Sequence, residues 1–286
     1  MRPIVKWNGG KSRDIKYFKD KIPEYSGRYI EPFFGGGGLY FYLLPEKSII
    51  SDANADLIKF YKELAQSWHY VQAELEWLHE EYERLDEDDR RDMFFKIRDL
   101  LTKRRDTIYD NGIAQINLHY ASIYYFINRT CFSGKMQCNR QGAFNTGFGK
   151  YAHFNNLITD DQIKVIQSWN ISCRDFEDTL RFARPDDFVF LDPPYAGTDR
   201  RGYGKSDYFG DAEQERLAKV FAKLSCKAML VVKDVSMMRK LYAKYLNDNS
   251  YISYWYGKKY SINQQDEGAN GHVNHLVICN YGEEDL

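Results

Sequence analysis

The chain has 286 residues, 43% of them hydrophobic, which is enough to bury a real core in one large domain or in one domain carrying an insertion. Its formal net charge of -1 argues against a protein that coats a polyanion over its whole surface. No apolar run approaches the roughly 18–20 residues of a membrane span, and the first residues, MRPIVKWNGGKS, lack the apolar stretch of a secretory signal. The cysteines, Cys131, Cys138, Cys173, Cys226 and Cys279, form no CxxC pair, and Cys131 and Cys138 lie seven apart with no neighbouring histidine at ligand spacing. Packing thiols in a reducing cytoplasm are therefore expected, and a metal is not.

Residues 8–12 read NGGKS, but the earlier glycine and the preceding strand of a phosphate-binding loop are missing, which excludes an NTPase of that kind. A short β-type run at Tyr29 and Ile30 leads through Phe33 into four consecutive glycines, among them Gly35 and Gly37, and a helical pattern resumes at Leu39. Such glycines let the backbone turn sharply and let a ligand lie against it. A second β-branched run, residues 48–50, ends near Asp52, where a carboxylate at a strand end can accept both hydroxyls of a ribose. The two features together point to an adenosine-containing ligand.

From Ala55 to about Tyr125 the pattern is mainly helical. Trp68, Val71, Leu75, Leu78, Tyr82 and Leu85 recur at alternating spacings of three and four, an apolar seam expected to pack on a neighbouring helix, and residues 119–127 read as a buried helix. A Gly- and Asn-rich stretch follows, in which residues 128–150 hold Arg129, Lys135, Arg140 and Lys150 and no acidic residue. Strand-like runs return at 188–191, 228–232, 252–256 and 273–279. The expected fold is α/β, with a sheet built from both chain ends, residues 1–60 and 160–286, and an inserted, mainly helical domain over residues 61–159.

The apolar run 188–191 ends in Asp192, Pro193, Pro194 and Tyr195, placing a carboxylate at the carboxyl end of a strand, where α/β proteins put their chemistry. The prolines restrict the turn and hold its carbonyls rigidly. This arrangement suits transfer to a planar exocyclic amine, whose lone pair is delocalised into the ring. If the Asp192 carboxylate and the Pro193 carbonyl each accept one N–H bond, the nitrogen is oriented and its lone pair can face an electrophile. Tyr195 would stack on the base, which must leave a duplex to reach such a site.

These residues resemble the Dam-type DNA adenine-N6 methyltransferase family along essentially the whole chain. Residues 5–11 look like its KWxGGK block, 31–38 like its Gly-rich cofactor loop, 52–58 like its acidic loop and 192–195 like its DPPY. The resemblance implies a Rossmann-like methyltransferase sheet with an inserted DNA-recognition domain, and S-adenosylmethionine as cofactor. It further implies that Trp7, Lys11, Phe33, Asp52 and Asp192 contact the cofactor, with Asp175 and Phe176 bordering its adenine. The segment from Asn128 and Arg129 through Ser133, Gln137, Asn139 and Asn145 is similar to the family's NR and FN…FG block, which implies that the insert binds double-stranded DNA.

Members that read GATC usually carry Asn and Arg where this chain has Ser133 and Gln137. Arg suits a guanine edge and Gln an adenine edge, so a recognition site other than GATC is expected. Arg129, Lys135, Arg140 and Lys150 are candidate phosphate contacts. After the tetrapeptide, Arg200, Arg201, Tyr203 and Lys205 form a second candidate DNA contact, and Asp211 with Gln214 reads as a helix start. The same tetrapeptide chemistry could serve RNA adenines or a glutamine amide, but a protein-amide methyltransferase has no need of the 128–150 block. A prokaryotic or phage-like enzyme working on the nucleoid, with a cognate restriction endonuclease acting separately, completes the expectation.

Overall fold

The computed structural model of the chain describes residues 1–103, 107–110, 113–139, 143–195, 209–245, 252–259 and 272–282. A 3-10 turn, Lys11–Arg13, precedes α1 (Ile15–Phe18), β1 (Tyr29–Glu31), α2 (Tyr40–Leu43) and β2 (Ser48–Asp52). Helices α3 (Ala55–Gln66), α4 (Trp68–Arg84) and α5 (Glu87–Lys103) follow, then the hairpin β3 (Thr107–Asp110) and β4 (Ile113–Asn117), and α6 (Tyr120–Thr130). After a loop come α7 (Asp160–Gln167), β5 (Ile171–Cys173), α8 (Phe176–Leu180), β6 (Phe188–Leu191) and α9 (Asp211–Phe221). The chain closes with β7 (Lys227–Lys233), α10 (Ser236–Tyr245), β8 (Ile252–Lys259) and β9 (His272–Cys279).

Seven strands form one sheet in the order β5-β2-β1-β6-β7-β9-β8. Strands β5, β2, β1, β6 and β7 pair in parallel, and β9 pairs antiparallel with both β7 and β8. This is the α/β, Rossmann-like architecture expected from the sequence. The chain steps outward from β1 to β2 on one side and from β6 to β7 on the other, so strand order reverses between β1 and β6. A crevice opens at the carboxyl ends of two such strands, and ligands of open α/β sheets bind there.

Period-two side-chain alternation divides β6 between two cores. Phe188 and Phe190 join the cluster that includes Leu57, Leu75, Leu78 and Tyr125 from the helical segment, whereas Val189 and Leu191 join Leu217, Phe221 and Tyr242 on the opposite face. All four residues of β6 are buried, as a central parallel strand covered on both faces requires. The α4 seam residues Trp68, Val71, Leu75, Leu78 and Tyr82 are buried, and α4 packs on α6. The first turn of α6 is held by carboxylates from two neighbours: Glu74 accepts from the His119 N–H at 2.9 Å, and Glu63 accepts from the Ala121 N–H. Negative charge at a helix N-terminus is the favourable pairing for its dipole.

Two elements depart from the pattern read along the sequence. The β3–β4 hairpin lies inside a stretch read as helical, although Asn111-Gly112 between its strands is the strongest short-range hairpin signal. Strand β5 is three residues long and sits at the sheet edge, too short for any periodicity to reveal.

Entry into β1 and β6 is fixed by one ion pair. The Asp187 carboxylate, 2% exposed, accepts from Arg28 Nε at 3.1 Å, Arg28 Nη2 at 2.7 Å and the N–H groups of Arg28 and Arg184 at 2.7 and 2.8 Å. Burial by itself would raise this carboxyl, but the hydrogen bonds from Arg28 and the two backbone groups outweigh it and hold the carboxyl below its ordinary value. A depressed carboxyl contributes stability above its unfolded pKa, near about 4, and loses it as pH falls further. Asp187→Ala is expected to cost about 2–3 kcal/mol at neutral pH, with the gap in Tm between wild type and variant closing in acid. Thermal melts across a pH series check this, and a gap that does not depend on pH would refute it.

Candidate active site

Glu31 ends β1 and Asp192 follows β6, so the parallel pairing of these strands sets two carboxylates side by side at the crevice. A cavity of about 430 Å³ opens there, within the roughly 300–1,000 Å³ range of small-molecule sites. Of the sequence-predicted residues, Trp7, Lys11, Phe33, Gly35, Asp52, Asp175, Phe176, Asp192, Pro193, Pro194 and Tyr195 all line it. Gly37 does not: it lies behind the wall, and a Cβ there would strike the Phe34 ring, so its need for glycine is packing rather than ligand approach.

The Gly-rich loop works by accepting the N-terminal segment. Gly35 has φ +49°, and a Cβ on it would collide with the Trp7 indole. At Gly38 a Cβ would come within 3.0 Å of the Ser12 backbone nitrogen, so only glycine lets the turn bearing Lys11 sit this close. Lys11, 3% exposed, donates from Nζ to Asp192 Oδ1 at 2.6 Å and to the Gly9 carbonyl at 2.9 Å, with its ammonium 4.8 Å from the Tyr195 ring centroid. A buried cation beside Asp192 offsets the cost of keeping that carboxylate charged. The Tyr195 ring meets His275 edge-on at 5.5 Å.

Across the cavity, Asp52 is oriented by the backbone: Oδ2 accepts from the Gly35 N–H and Oδ1 from the Asn54 N–H, both at 2.8 Å. Its carboxylate thus lines the cavity in one fixed pose. Glu31 lies deeper and was not singled out from the sequence. Burial, with added repulsion from Asp192 and Asp52, pushes its carboxyl well above the ordinary value, although the Tyr29 hydroxyl donates to it at 2.8 Å. The strand-end rule that locates Asp192 applies equally to Glu31.

At the other end Phe33 and Phe176 stack at 5.3 Å, with Phe209 edge-on to Phe33 at 5.4 Å. Asp175 caps α8 by accepting from the Glu177 N–H at 2.9 Å, and both of its oxygens accept from Arg216 at 2.7 Å. The Arg216 bonds hold the Asp175 carboxyl below its ordinary value. The guanidinium also lies 4.1 Å from the Phe176 ring centroid. Phe209, Glu213 and Arg216 all line the cavity, yet no local pattern around them reveals it, because α9 carries an ordinary amphipathic stripe.

The candidate DNA-contacting residues that are described lie in the last turn of α6 and the loop after it, and none of them lines the cavity. Arg129 lies in the last turn of α6, and its carbonyl accepts from Lys6 Nζ at 3.3 Å. Ser133 has φ 56°, a left-handed conformation that Asn tolerates better than Ser. The Thr146 hydroxyl donates to the Lys135 carbonyl at 2.6 Å. The Asn145 N–H donates to the Gln137 carbonyl at 3.0 Å, and the Asn139 side chain accepts from the Ala143 N–H at 2.9 Å. Lys150 pairs with Glu87 at 3.0 Å, an exposed pair of small energy. Arg140, Arg200, Arg201, Tyr203 and Lys205 lie outside the described residues. Asn128 is structural: buried, it pairs with both the N–H and the carbonyl of Lys6 at 2.8 Å.

Burial pushes the Cys131 thiol up to about 12, so it stays protonated and packs as an apolar group. Among the described residues no three His, Cys, Asp or Glu side chains converge as a metal site, and no helix is long and apolar enough to cross a membrane.

Residues 7–267 match the family model for D12 class N6 adenine-specific DNA methyltransferase. The chain is 31% identical to the type II methyltransferase M.MjaIII of Methanocaldococcus jannaschii, over 98% of this chain and 99% of that protein. It is 30% identical to the type II methyltransferase M.CviBI of Paramecium bursaria Chlorella virus NC1A, over 98% of this chain and all of that protein (100%). Against a DNA adenine methylase of Vibrio cholerae the identity is 26%, over 68% of this chain and 66% of that one. A family match that runs from Trp7 in the N-terminal segment through both strand-end motifs leaves one conclusion: the chain belongs to the D12 class of N6 adenine-specific DNA methyltransferases.

Proposed function

We propose that the cavity between β1 and β6 holds S-adenosylmethionine beside a flipped-out adenine, and that residues 61–159 form the domain that selects the DNA site. The observation that carries this reading is the Asp192 carboxylate, held by buried Lys11 at the carboxyl end of β6, in the same cavity as backbone-oriented Asp52. The cavity suits the cofactor on its own terms: a fixed carboxylate for the ribose at Asp52, apolar rings for the adenine at Phe33 and Phe176, and a carboxylate-lined floor for the amino-acid end. Trp7, Lys11, Gly35 and Asp175 complete the enclosure.

When bound, S-adenosylmethionine supplies the reactive methyl group. The protein's share is to orient the nucleophile. Asp192 and the Pro193 carbonyl accept the two N–H bonds of the adenine amine, the prolines keep the turn rigid, and Tyr195 stacks on the base. Arg129 and Lys135, with Arg140, set the register on phosphates, while Ser133, Gln137, Asn139 and Asn145 face the bases. The site read is other than GATC, and the enzyme works where chromosomal or phage DNA lies in the cytoplasm. A restriction endonuclease acting separately at the same site fits the type II relatives.

Purified protein incubated with radiolabelled S-adenosylmethionine and unmethylated genomic DNA should place label in N6-methyladenine within one short motif, mapped by single-molecule sequencing. Label in RNA or in protein glutamine, with none in DNA, would overturn the substrate assignment. Asp192→Asn is expected to lower kcat roughly hundredfold or more. Full activity in that variant would remove Asp192 from the chemistry. DNA treated with the enzyme should resist a nuclease that cuts only methylated GATC; efficient cutting would reverse the expectation drawn from Ser133 and Gln137.

A further inference from the structure

Helix α9 buries the stripe Gln214, Leu217, Ala218 and Phe221, and Gln214 is its polar member, fully buried at 0% exposure. The sequence places Gln214 as a partner in a helix start, but Gly210 is the N-cap without a side-chain bond, and the Gln214 amide points elsewhere. Its Nε2 donates to the Pro194 carbonyl at 2.8 Å. A carbonyl can only accept, so the amide nitrogen must face Pro194 and its oxygen must face away. That oxygen, Oε1, is buried with no hydrogen-bond partner among the described residues. An apolar residue would suit this stripe better, and a buried amide satisfied at one end only needs a reason.

We propose that Gln214 is a positioning residue for the reaction: it locks the peptide plane between Pro194 and Tyr195 and thereby sets the angle at which the Tyr195 ring meets the target base. The inference rests on the proposed role of the tetrapeptide. The Pro194 carbonyl and the Tyr195 nitrogen belong to one rigid plane. Pro194 fixes φ through its ring and restricts Pro193 before it, which leaves the Pro194–Tyr195 plane as the soft joint of the turn. Gln214 closes that joint from below, while His275 and the Lys11 ammonium flank the ring itself. With the plane released, the ring could tilt and the amine would no longer be presented squarely.

Two variants test this. Gln214→Leu completes the apolar stripe, and Gln214→Met keeps the length of the side chain while its thioether cannot donate. Both should bind S-adenosylmethionine with a Kd within about twofold of wild type, while the single-turnover methylation rate at saturating DNA and cofactor falls about tenfold or more. With 2-aminopurine at the mapped target position, emission should still rise on flipping but show less quenching by Tyr195. A folded Gln214→Leu enzyme with a wild-type rate would overturn the proposal; if that variant does not fold, a wild-type rate in Gln214→Met does so. Wild type and Asp192→Ala are run alongside: an inactive wild type or an active Asp192→Ala would sink the reading of the tetrapeptide, whereas failure confined to the Gln214 variants sinks this bond alone.

Discussion

The parallel pairing of β1 with β6 is the constraint on which the site depends. It lies where strand order reverses, so the chain leaves both strands in opposite directions and the crevice above them is left open. It also forces Glu31 and Asp192 into proximity, with Asp52 one strand further along. Three carboxylates around one cavity would repel one another if all were charged and unpaired. The molecule resolves this in three different ways. Burial raises the Glu31 carboxyl, Asp52 takes two backbone N–H groups, and Asp192 takes the Lys11 ammonium.

Much of that site could be read from the sequence because strand-end chemistry is local. A β-type run followed by glycines, or by Asp-Pro-Pro-Tyr, declares both its element and its exit, and the structure puts those residues around one cavity. Trp7 and Lys11 carry no local signal and emerge only through resemblance, since their role depends on Gly35 and Gly38 being bare enough to admit them. Arg216, Glu213, Phe209 and Gln214 were illegible for a related reason. Three of them belong to the amphipathic helix α9 and Phe209 lies just before it, and only the packing of α9 beneath the tetrapeptide shows which side chains turn inward. The short strand β5 and the hairpin β3–β4 were missed at the level of pattern, the first for want of length and the second because its turn signal stood in a helical setting.

The end of α6 and the N-terminal segment are joined through a single side chain. Asn128, at the last turn of α6, pairs with both polar groups of Lys6, the residue before Trp7. The segment tied down in this way also carries Trp7 and Lys11, and Lys11 in turn holds Asp192. The side chain does for two distant segments what a ladder does between neighbouring strands.

This connection bears on the order of synthesis. A ribosome releases Trp7, Lys11, the glycine loop and Asp52 first, the recognition segment next, and Asp192 only afterwards. Until β6 has emerged, the Lys11 ammonium lacks its carboxylate partner and the cavity its second wall. By then the loop anchored through Asn128 is already complete. A chain arrested anywhere before Asp192 lacks that carboxylate, so the cavity is completed only in molecules that already carry the segment after α6.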